Sequence, residues 1–275
     1  MTETPLPTVR VECLARRHDM TARSSRVIPE ETPVAFTFGG STHAVMMATP
    51  SDLKDFAVGF ALTEGLIDSA QEAGEIEVIA TEAGIELRAW LPQDRQEAYA
   101  QRRRSMAGPT GCGLCGIESL EAATREPTKV DHSLNLDAES LIEAMESLPA
   151  GQAINHQTRA VHAAGFWRPN SGMMAVREDV GRHNALDKLA GALARQGVNA
   201  SQGVVLMTSR VSVELVQKAA RIGAPILAAV SAPTALAVRI AENCGITLVA
   251  VMRGRDFEIF THPERIIEQV STNVA

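Results

Sequence analysis

The sequence predicts a mixed α/β protein whose carboxyl-terminal half is built on a parallel sheet. Three charge-free apolar segments, 204–207, 226–230 and 248–252, recur there at a 22-residue spacing. Helical patterns that end at glycine separate them. Continuously apolar strands that alternate with helices are typical of a parallel sheet covered by right-handed crossovers.

The amino-terminal part predicts a smaller α+β domain over residues 27–100. Residues 1–26 mix charges with Thr and Pro without any period, so we expect a flexible tail there. One pair of β-prone segments flanks a Gly-Gly turn, and a second pair flanks a single glycine. Between these pairs apolar residues recur at helical spacing from Leu53, after Ser51 as candidate N-cap and before Gly65 as helix end.

Residues 137–275 make up the predicted α/β domain. Asp137 can cap a helix that runs to about Leu148, and a hairpin is expected around the turn 168–172. A second helix over 183–195 precedes the parallel strands. The helices between those strands are expected over 212–222 and 232–244.

The order of hairpin, helix and βαβαβ core resembles the cytidine-deaminase-like architecture, a three-layer domain. Deamination itself is not expected, because it needs an H-x-E motif and a P-C-x-x-C motif around zinc. His162 is followed two places later by Ala164, and no proline precedes Cys112. On an apolar strand, a buried and hydrogen-bonded His162 is the simpler explanation.

Composition and charge exclude several functions. The 275 residues include 26 Lys+Arg and 33 Asp+Glu, a formal net charge of −7, and aromatic residues are only 4%. Neither a general attraction to phosphate backbones nor a base-stacking platform is expected. We find no secretory signal, and the longest charge-free apolar run is too short and too interrupted by proline to span a bilayer. The prediction is a cytoplasmic protein with no nucleic-acid or membrane partner and with reduced cysteines.

The carboxyl ends of the three parallel strands predict a binding edge. Ligands of parallel sheets bind beyond these ends, two of the three loops lead into helix N-termini, and arginines supply forked donors for phosphate. In one loop alone, these residues are explained more simply as a helix cap and solvated arginines. Because three loops share this chemistry at one edge, a site for an anionic ligand becomes as good an explanation as helix caps and solvated arginines. The candidate residues of this edge are Ser209, Arg210, Ser212, Ser231, Thr234, Arg253, Gly254, Arg255 and Asp256.

Cys112 and Cys115 have C-x-x-C spacing within a glycine-rich segment, 101–136, that we expect to be a linker or functional loop. A structural zinc site needs four ligands, and the sequence offers no second pair. A thioredoxin-type dithiol would lie between a strand and a helix of a βαβ unit, whereas this pair lies in a glycine-rich segment well before the parallel sheet. The third interpretation is a sulfur relay, in which one thiolate accepts sulfur as a persulfide and passes it on. Spacing alone does not separate a relay from a redox pair.

A dense polar stretch surrounds the start of the second helix in this half. Arg182, His183 and Asn184 could bind a nucleotide or position an acid, whereas Asp187 and Lys188 are residues that a solvated helix face would carry. The density of such side chains favours a site.

Motifs along most of the chain are similar to those of one family. They are Thr49-Pro50, Phe56-Ala57-Val58-Gly59-Phe60, Thr63-Glu64-Gly65, Gly111-Cys112-Gly113-Leu114-Cys115-Gly116, Glu178 through Lys188, Ser231-Ala232-Pro233-Thr234 and Arg253-Gly254-Arg255. On these residues the sequence resembles the FdhD family, formate dehydrogenase accessory proteins that act as sulfur carriers.

The resemblance implies a sulfurtransferase that takes sulfur from a cysteine desulfurase as a cysteine persulfide. It would transfer this sulfur to the molybdenum cofactor, in its bis-molybdopterin guanine dinucleotide form, for formate dehydrogenase. Cys112 corresponds to the persulfide cysteine, with Cys115 assisting, and no zinc is expected. The alternatives are a cofactor-binding chaperone without catalysis and a C-x-x-C dithiol–disulfide reductase.

The resemblance also implies where the cofactor binds, so a guanine nucleotide such as GDP is expected to bind as well. The implied stretch is Val251, Met252, Arg253, Gly254, Arg255 and Asp256, with the neighbouring loops and with His162, His183 and Asn184. A homodimer is expected, since a two-chain site would let two cysteine loops face one bis-dinucleotide ligand.

Overall fold

The computed structural model describes residues 3–92, 95, 128–131 and 134–267. Cys112 and Cys115 lie outside the described residues. The strands are β1 Thr8–Arg17, β2 Met20–Pro29, β3 Thr32–Phe38, β4 Ser41–Ala48, β5 Ile76–Thr81, β6 Gly84–Ala89, β7 Leu136–Asp137, β8 His162–Arg168, β9 Gly172–Asp179, β10 Val204–Met207, β11 Ile226–Ala229, β12 Thr247–Arg253, β13 Asp256–Ile259 and β14 Ile266–Ile267. The α-helices are α1 Leu53–Thr63, α2 Ala138–Ser147, α3 Ala153–Thr158, α4 Arg182–Arg195, α5 Val213–Arg221 and α6 Ala235–Cys244.

The first residues form a β-hairpin, so the expectation of a flexible tail over 1–26 is wrong. β1 and β2 pair in antiparallel register over ten residues each. Both residues of the two-residue turn, His18 and Asp19, have positive φ, at 46° and 63°. Such turns match the twist of a hairpin but are usually marked by Asn-Gly or Asp-Gly, and that signal is missing here. We call the hairpin Thr8–Pro29 the arm.

A four-stranded sheet and α1 follow the arm, as expected. The strand order is β4-β3-β6-β5, and β3 and β6 run parallel. Phe36 of β3 packs against Phe56 and Phe60 of α1, with ring centroids 4.8 and 4.1 Å apart. Ser51 is not the N-cap of α1, because that position falls on Asp52, in a left-handed conformation and without a side-chain cap.

The carboxyl-terminal half contains a six-stranded sheet of order β13-β12-β11-β10-β8-β9. The three predicted strands β10, β11 and β12 pair in parallel, and β8 and β13 join them antiparallel. α2 packs on one face of this sheet, and α4, α5 and α6 pack on the other. The α/β fold with three layers is therefore confirmed, while the closer likeness to cytidine deaminases stays a prediction.

Two glycines bring α1 against α4. A Cβ at Gly59 would lie 1.6 Å from the backbone oxygen of Asp187, and one at Gly191 would lie 1.9 Å from that of Asp55. The helices therefore touch backbone to backbone, which only glycine permits. This contact joins the four-stranded unit to the six-stranded one.

Asp187 and Lys188 are not solvated, contrary to the simpler expectation. Lys188 is fully buried, with Nζ 2.7 Å from Asp179 and 2.8 Å from the carbonyl oxygen of Thr49. Asp187 is buried beside Lys218, at 2.8 Å. Both carboxylates are thus paired with ammonium groups inside the protein, as buried charges require.

Candidate functional site

The parallel register brings the three predicted loops to one edge of the six-stranded sheet. The loop after β10 and the loop after β11 are joined directly, since the amide of Thr234 donates to the carbonyl oxygen of Val211 at 3.0 Å. Of the candidate side chains in them, Arg210 and Thr234 are exposed, and Ser212 and Ser231 are half-buried. Ser209 is buried, and its hydroxyl donates to the carbonyl oxygen of Arg210 at 3.0 Å. We call this edge the strand-end edge.

The third loop is built differently from the other two. β12 pairs with β11 only as far as Val249, continues to Arg253, and turns straight into β13 instead of entering a helix. Arg253, Gly254 and Asp256 are all exposed at this turn. Met252 is buried with the α2 side of the core and cannot offer its side chain to a ligand.

Val251 marks a distorted point in β12. Its φ is +56°, a conformation that a β-branched residue rarely adopts, and the β12–β13 register shifts between Ala250 and Arg253. Such strain is retained where surrounding structure enforces it, often in ligand-binding segments. The distortion lies within the stretch that the sequence analysis assigns to the cofactor.

His162 also lies at the strand-end edge. Since β8 runs antiparallel to β10, its first residue comes next to the end of β10, where Thr208 Oγ1 accepts from the amide of Ala163 at 2.9 Å. Burial, and then the charge of Arg182, lower the pKa of His162 below its usual value. The ring is therefore neutral at pH 7.

His183 reaches the same edge from the start of α4. Its Nε2 lies 3.3 Å from Ser212 Oγ and 3.8 Å from a carboxylate oxygen of Glu214. Burial lowers the pKa of His183 to about 4, with Arg182 adding to the effect. The Ser212 hydroxyl also donates to the Glu214 carboxylate, so His183, Ser212 and Glu214 form one hydrogen-bonded chain at this edge.

Arg182 adds a cation beside the two histidines. Its Nε atom is buried and has no hydrogen-bond partner within the described part of the chain. Together with Arg210, Arg253 and Arg255 it gives this edge four guanidinium groups. Arg255 turns partly away, toward an ion pair with Glu139 of α2.

Asn184 is not brought to the strand-end edge with its neighbour His183. Its side chain is 3% exposed, and its amide nitrogen donates to Asp179 Oδ1 and to the carbonyl oxygen of Met47, both at 2.9 Å. These bonds tie α4 to the end of β4. A role for Asn184 in cofactor binding stays a prediction. Its side chain already makes hydrogen bonds inside the protein.

The predicted catalytic cysteines are not tested by the geometry, since both lie outside the described residues. Of the other two, Cys13 is exposed on the arm and Cys244 is buried, where burial raises its pKa to about 11. Across residues 3–92, 95, 128–131 and 134–267, no cluster of three or more His, Cys, Asp or Glu could hold a metal ion. Helices long and apolar enough to cross a membrane are likewise absent from these ranges.

A cavity of about 600 Å³ lies away from this edge. It is lined by Asp137 of β7, by Ser140 of α2 and by the turn between β8 and β9. Because β8 is antiparallel to β10, that turn lies at the amino ends of the parallel strands. The cavity is thus on the side of the sheet where parallel sheets do not usually bind their ligands.

Comparison with known proteins identifies the family. Residues 29–267 match the model of the FdhD/NarQ family. The chain belongs to the FdhD/NarQ family. It is 54% identical over 259 residues to the sulfur carrier protein FdhD of Agrobacterium fabrum, covering 94% of this chain and 96% of the relative. The sulfur carrier protein FdhD of Brucella abortus is 51% identical over the same shares.

A solved FdhD-type structure shares the fold. A chain from Desulfotalea psychrophila, described as a formate dehydrogenase accessory protein, superposes with a TM-score of 0.73 at 25% identity. The match covers 96% of this chain and all of the other. The family resemblance seen in the sequence is therefore confirmed, and the strand-end edge belongs to an FdhD/NarQ fold.

Proposed function

We propose that this chain is a sulfur carrier that serves formate dehydrogenase. Cys112 would accept sulfur from a cysteine desulfurase as a persulfide, and the molybdenum cofactor in its bis-guanine dinucleotide form would receive that sulfur at the strand-end edge. The observation that carries the proposal is 54% identity over nearly the whole length to a protein named sulfur carrier protein FdhD. The C-x-x-C pair at 112 and 115 supplies the chemistry that such a role needs.

The loading step needs only thiol chemistry. The Cys112 thiolate attacks the terminal sulfur of the desulfurase persulfide, the sulfur–sulfur bond of the donor breaks, and the desulfurase cysteine leaves as a thiolate. No outside oxidant or reductant enters this exchange. A reducing compartment, the cytoplasm expected from the sequence, would keep Cys112 available as a thiol.

The strand-end edge fits the phosphate groups of the proposed cargo. Arg182, Arg210 and Arg253 offer forked donors, and the N-termini of α5 and α6 add partial positive charge. Neutral His162 and the His183–Ser212 pair add uncharged hydrogen-bonding groups beside them. The cofactor is here the substrate of the protein, and a guanine nucleotide represents the part that this edge would hold.

Intact-mass measurement tests sulfur loading. The protein is incubated with a cysteine desulfurase and L-cysteine, and a gain of about 32 Da that cyanide removes is expected. Cys112→Ala should lose the added sulfur, while the matched control Cys13→Ala, which removes another exposed thiol, should keep it. An undiminished adduct in Cys112→Ala would contradict the proposal.

Calorimetry with GDP tests the ligand part separately. Arg210→Ala and Arg253→Ala should each weaken GDP binding about tenfold, the loss of one charge-assisted hydrogen bond. Arg239→Ala, at an exposed arginine of α6, is the control and should bind normally. If GDP binds and Cys112→Ala still supports formate dehydrogenase activity, the chaperone alternative is favoured. A thioredoxin-like reduction potential with turnover of disulfides would favour the reductase instead.

A further inference from the structure

Arg182 is a half-buried cation that no described residue pairs with. Its Nε atom is buried without a hydrogen bond, and no ion pair among the described residues includes its guanidinium group. A guanidinium has five N–H donors, and buried donors of this kind are nearly always satisfied. The group is therefore free to donate to an acceptor that a ligand brings.

Arg182 also stands apart from the cofactor stretch 251–256 of the strand-end edge. Its charge acts on His162, the first residue of β8, and the sheet order places β11 and β10 between β12 and β8. Neighbouring strands lie about 4.8 Å apart, so β8 and β12 are separated by roughly 14 Å. A single phosphate does not span this distance. Arg253 can hold a phosphate of a bound nucleotide while Arg182 meets another part of the same ligand.

The proton of the neighbouring His183 ring has a fixed position. Glu214 accepts from the Ser212 hydroxyl, which has only one proton to give. The Ser212 oxygen, 3.3 Å from His183 Nε2, must therefore accept from an Nε2–H group. Because the ring is neutral at pH 7, its Nδ1 carries a lone pair, to which no described residue donates. His183 thus offers a ligand an acceptor.

Together Arg182 and His183 offer one donor and one acceptor. They are the first two residues of α4, and the charge of Arg182 adds to the low pKa of His183, so the guanidinium lies near the ring. A bare anion would meet the lone pair of Nδ1, and a cation would be repelled by Arg182. A neutral group with a carbonyl beside an N–H satisfies both residues. In a flat heterocycle this group is a lactam edge, a ring carbonyl next to a ring N–H.

We propose that Arg182 and His183 select the ligand of the strand-end edge by its lactam edge. Arg182 donates to the ring carbonyl, and His183 Nδ1 accepts from the adjacent N–H. Ser212 and Glu214 are positioning residues, because they hold the ring in its acceptor form. The inference rests on the proposed function for the identity of the ligand, whose guanine and pterin rings both have this edge. Adenine instead presents an amino group beside a ring nitrogen lone pair.

Calorimetry with GDP and ADP tests the selection, since the two differ only in the base. The wild type should bind GDP about 10- to 100-fold more tightly, because adenine leaves both protein groups unpaired. Arg182→Met should bring the ratio of the two Kd values close to one, and Arg182→Lys, which keeps a donor, should retain part of the preference. A merely structural role would weaken both nucleotides alike. Arg239→Met, at an exposed position of α6, is the matched control and should keep the wild-type ratio.

Glu214→Gln tests the acceptor form of His183 while leaving the ring and the guanidinium in place. The new amide can donate to Ser212, so Ser212 can donate to Nε2 and the ring proton can move to Nδ1. The preference for GDP over ADP should then fall, whereas Glu242→Gln, exposed on α6, should not change it. Nitrogen NMR of the histidine rings should show an unprotonated Nδ1 in wild-type His183. A wild-type ring protonated at Nδ1 would overturn the inference.

Biopterin, followed by its fluorescence, separates the two sources of a lactam edge. If GDP is not preferred over ADP but biopterin binds and needs Arg182, the edge that is read belongs to the pterin. If GDP and ADP bind equally and biopterin binding is unaffected by Arg182→Met, this inference fails and nucleotide binding stands. If neither GDP nor biopterin binds, the ligand part of the proposed function fails with it, and sulfur loading is still decided by intact mass.

Discussion

Replacing Gly59 with alanine tests the contact that joins the two halves of the molecule. Intrinsic helix propensity predicts that this change in α1 stabilises the protein by about 1 kcal/mol. The structure predicts the opposite sign. The added Cβ would lie 1.6 Å from the oxygen of Asp187 and 2.7 Å from the nitrogen of Gly191, both backbone atoms that cannot turn aside.

The size of the effect follows from how far the helices must separate. Ordinary contact begins at 3.4 Å, so α1 and α4 must move apart by roughly 1.5 Å or more, and a gap of this size forfeits a large part of the dispersion energy across the interface. The same shift stretches the bond from Thr63 Oγ1 to Asp187, 2.6 Å long, which is worth about 1.5–3 kcal/mol because its acceptor is charged. After the propensity gain, we expect a net destabilisation of about 3 kcal/mol.

Equilibrium unfolding in urea, followed by circular dichroism, measures this quantity. Gly191→Ala should cost a similar amount, and the double variant should cost less than the sum, because helices already separated by one methyl group leave room for the second. A Gly59→Ala protein as stable as the wild type, or more stable, would refute the close-contact reasoning.

Three further predictions concern charged and capping groups, each followed by urea unfolding. Lys188→Met leaves the Asp179 carboxylate buried without its cation and should lower the free energy of unfolding by about 3–5 kcal/mol. The double variant Lys188→Met/Asp179→Asn should regain part of that loss, and equal losses in the two variants would contradict this. His183 has a pKa of about 4 in the folded protein against an ordinary value of 6.5, so the unfolded state takes up the proton first and stability is lost as pH falls below 6.5. Between pH 7 and pH 5 the wild type should lose about 1–2 kcal/mol more than His183→Gln, and parallel pH profiles would argue against a buried neutral ring. Asp137→Ala should cost about 1 kcal/mol, since the carboxylate caps α2 by accepting from the amide of Ser140 at 2.8 Å, while Asp137→Asn should retain most of that stability.

Local pattern accounts for most of the elements that the sequence predicts correctly. The parallel strands β10, β11 and β12 are recognisable because a strand buried on both faces must be apolar throughout. The cap at Asp137 follows from short-range hydrogen bonding alone. The arm cannot be recognised in this way, because its turn at His18 and Asp19 lacks the residues that usually mark a positive-φ hairpin.

The strand-end edge was predictable for a related reason. Parallel pairing places all three strand ends together, so the loops after β10, β11 and β12 could be assigned to one edge before any contact was known. The pairing of His183 with Ser212 could not be predicted from the sequence, because the packing of α4 against α5 brings these residues together. The burial of Lys188 could not be predicted either, because its neutralising partner, Asp179, lies in a different element.

The α/β class, the parallel core, the family and the cysteine spacing can all be read from the amino-acid sequence, because each depends on local periodicity or on contiguous motifs. Which charges are buried, which polar groups reach the strand-end edge and where the arm lies depend on how the elements pack. These depend on contacts between residues far apart in the chain, such as Gly59 with Gly191. No local pattern encodes such contacts, because each residue type is compatible with several partners until the elements are packed.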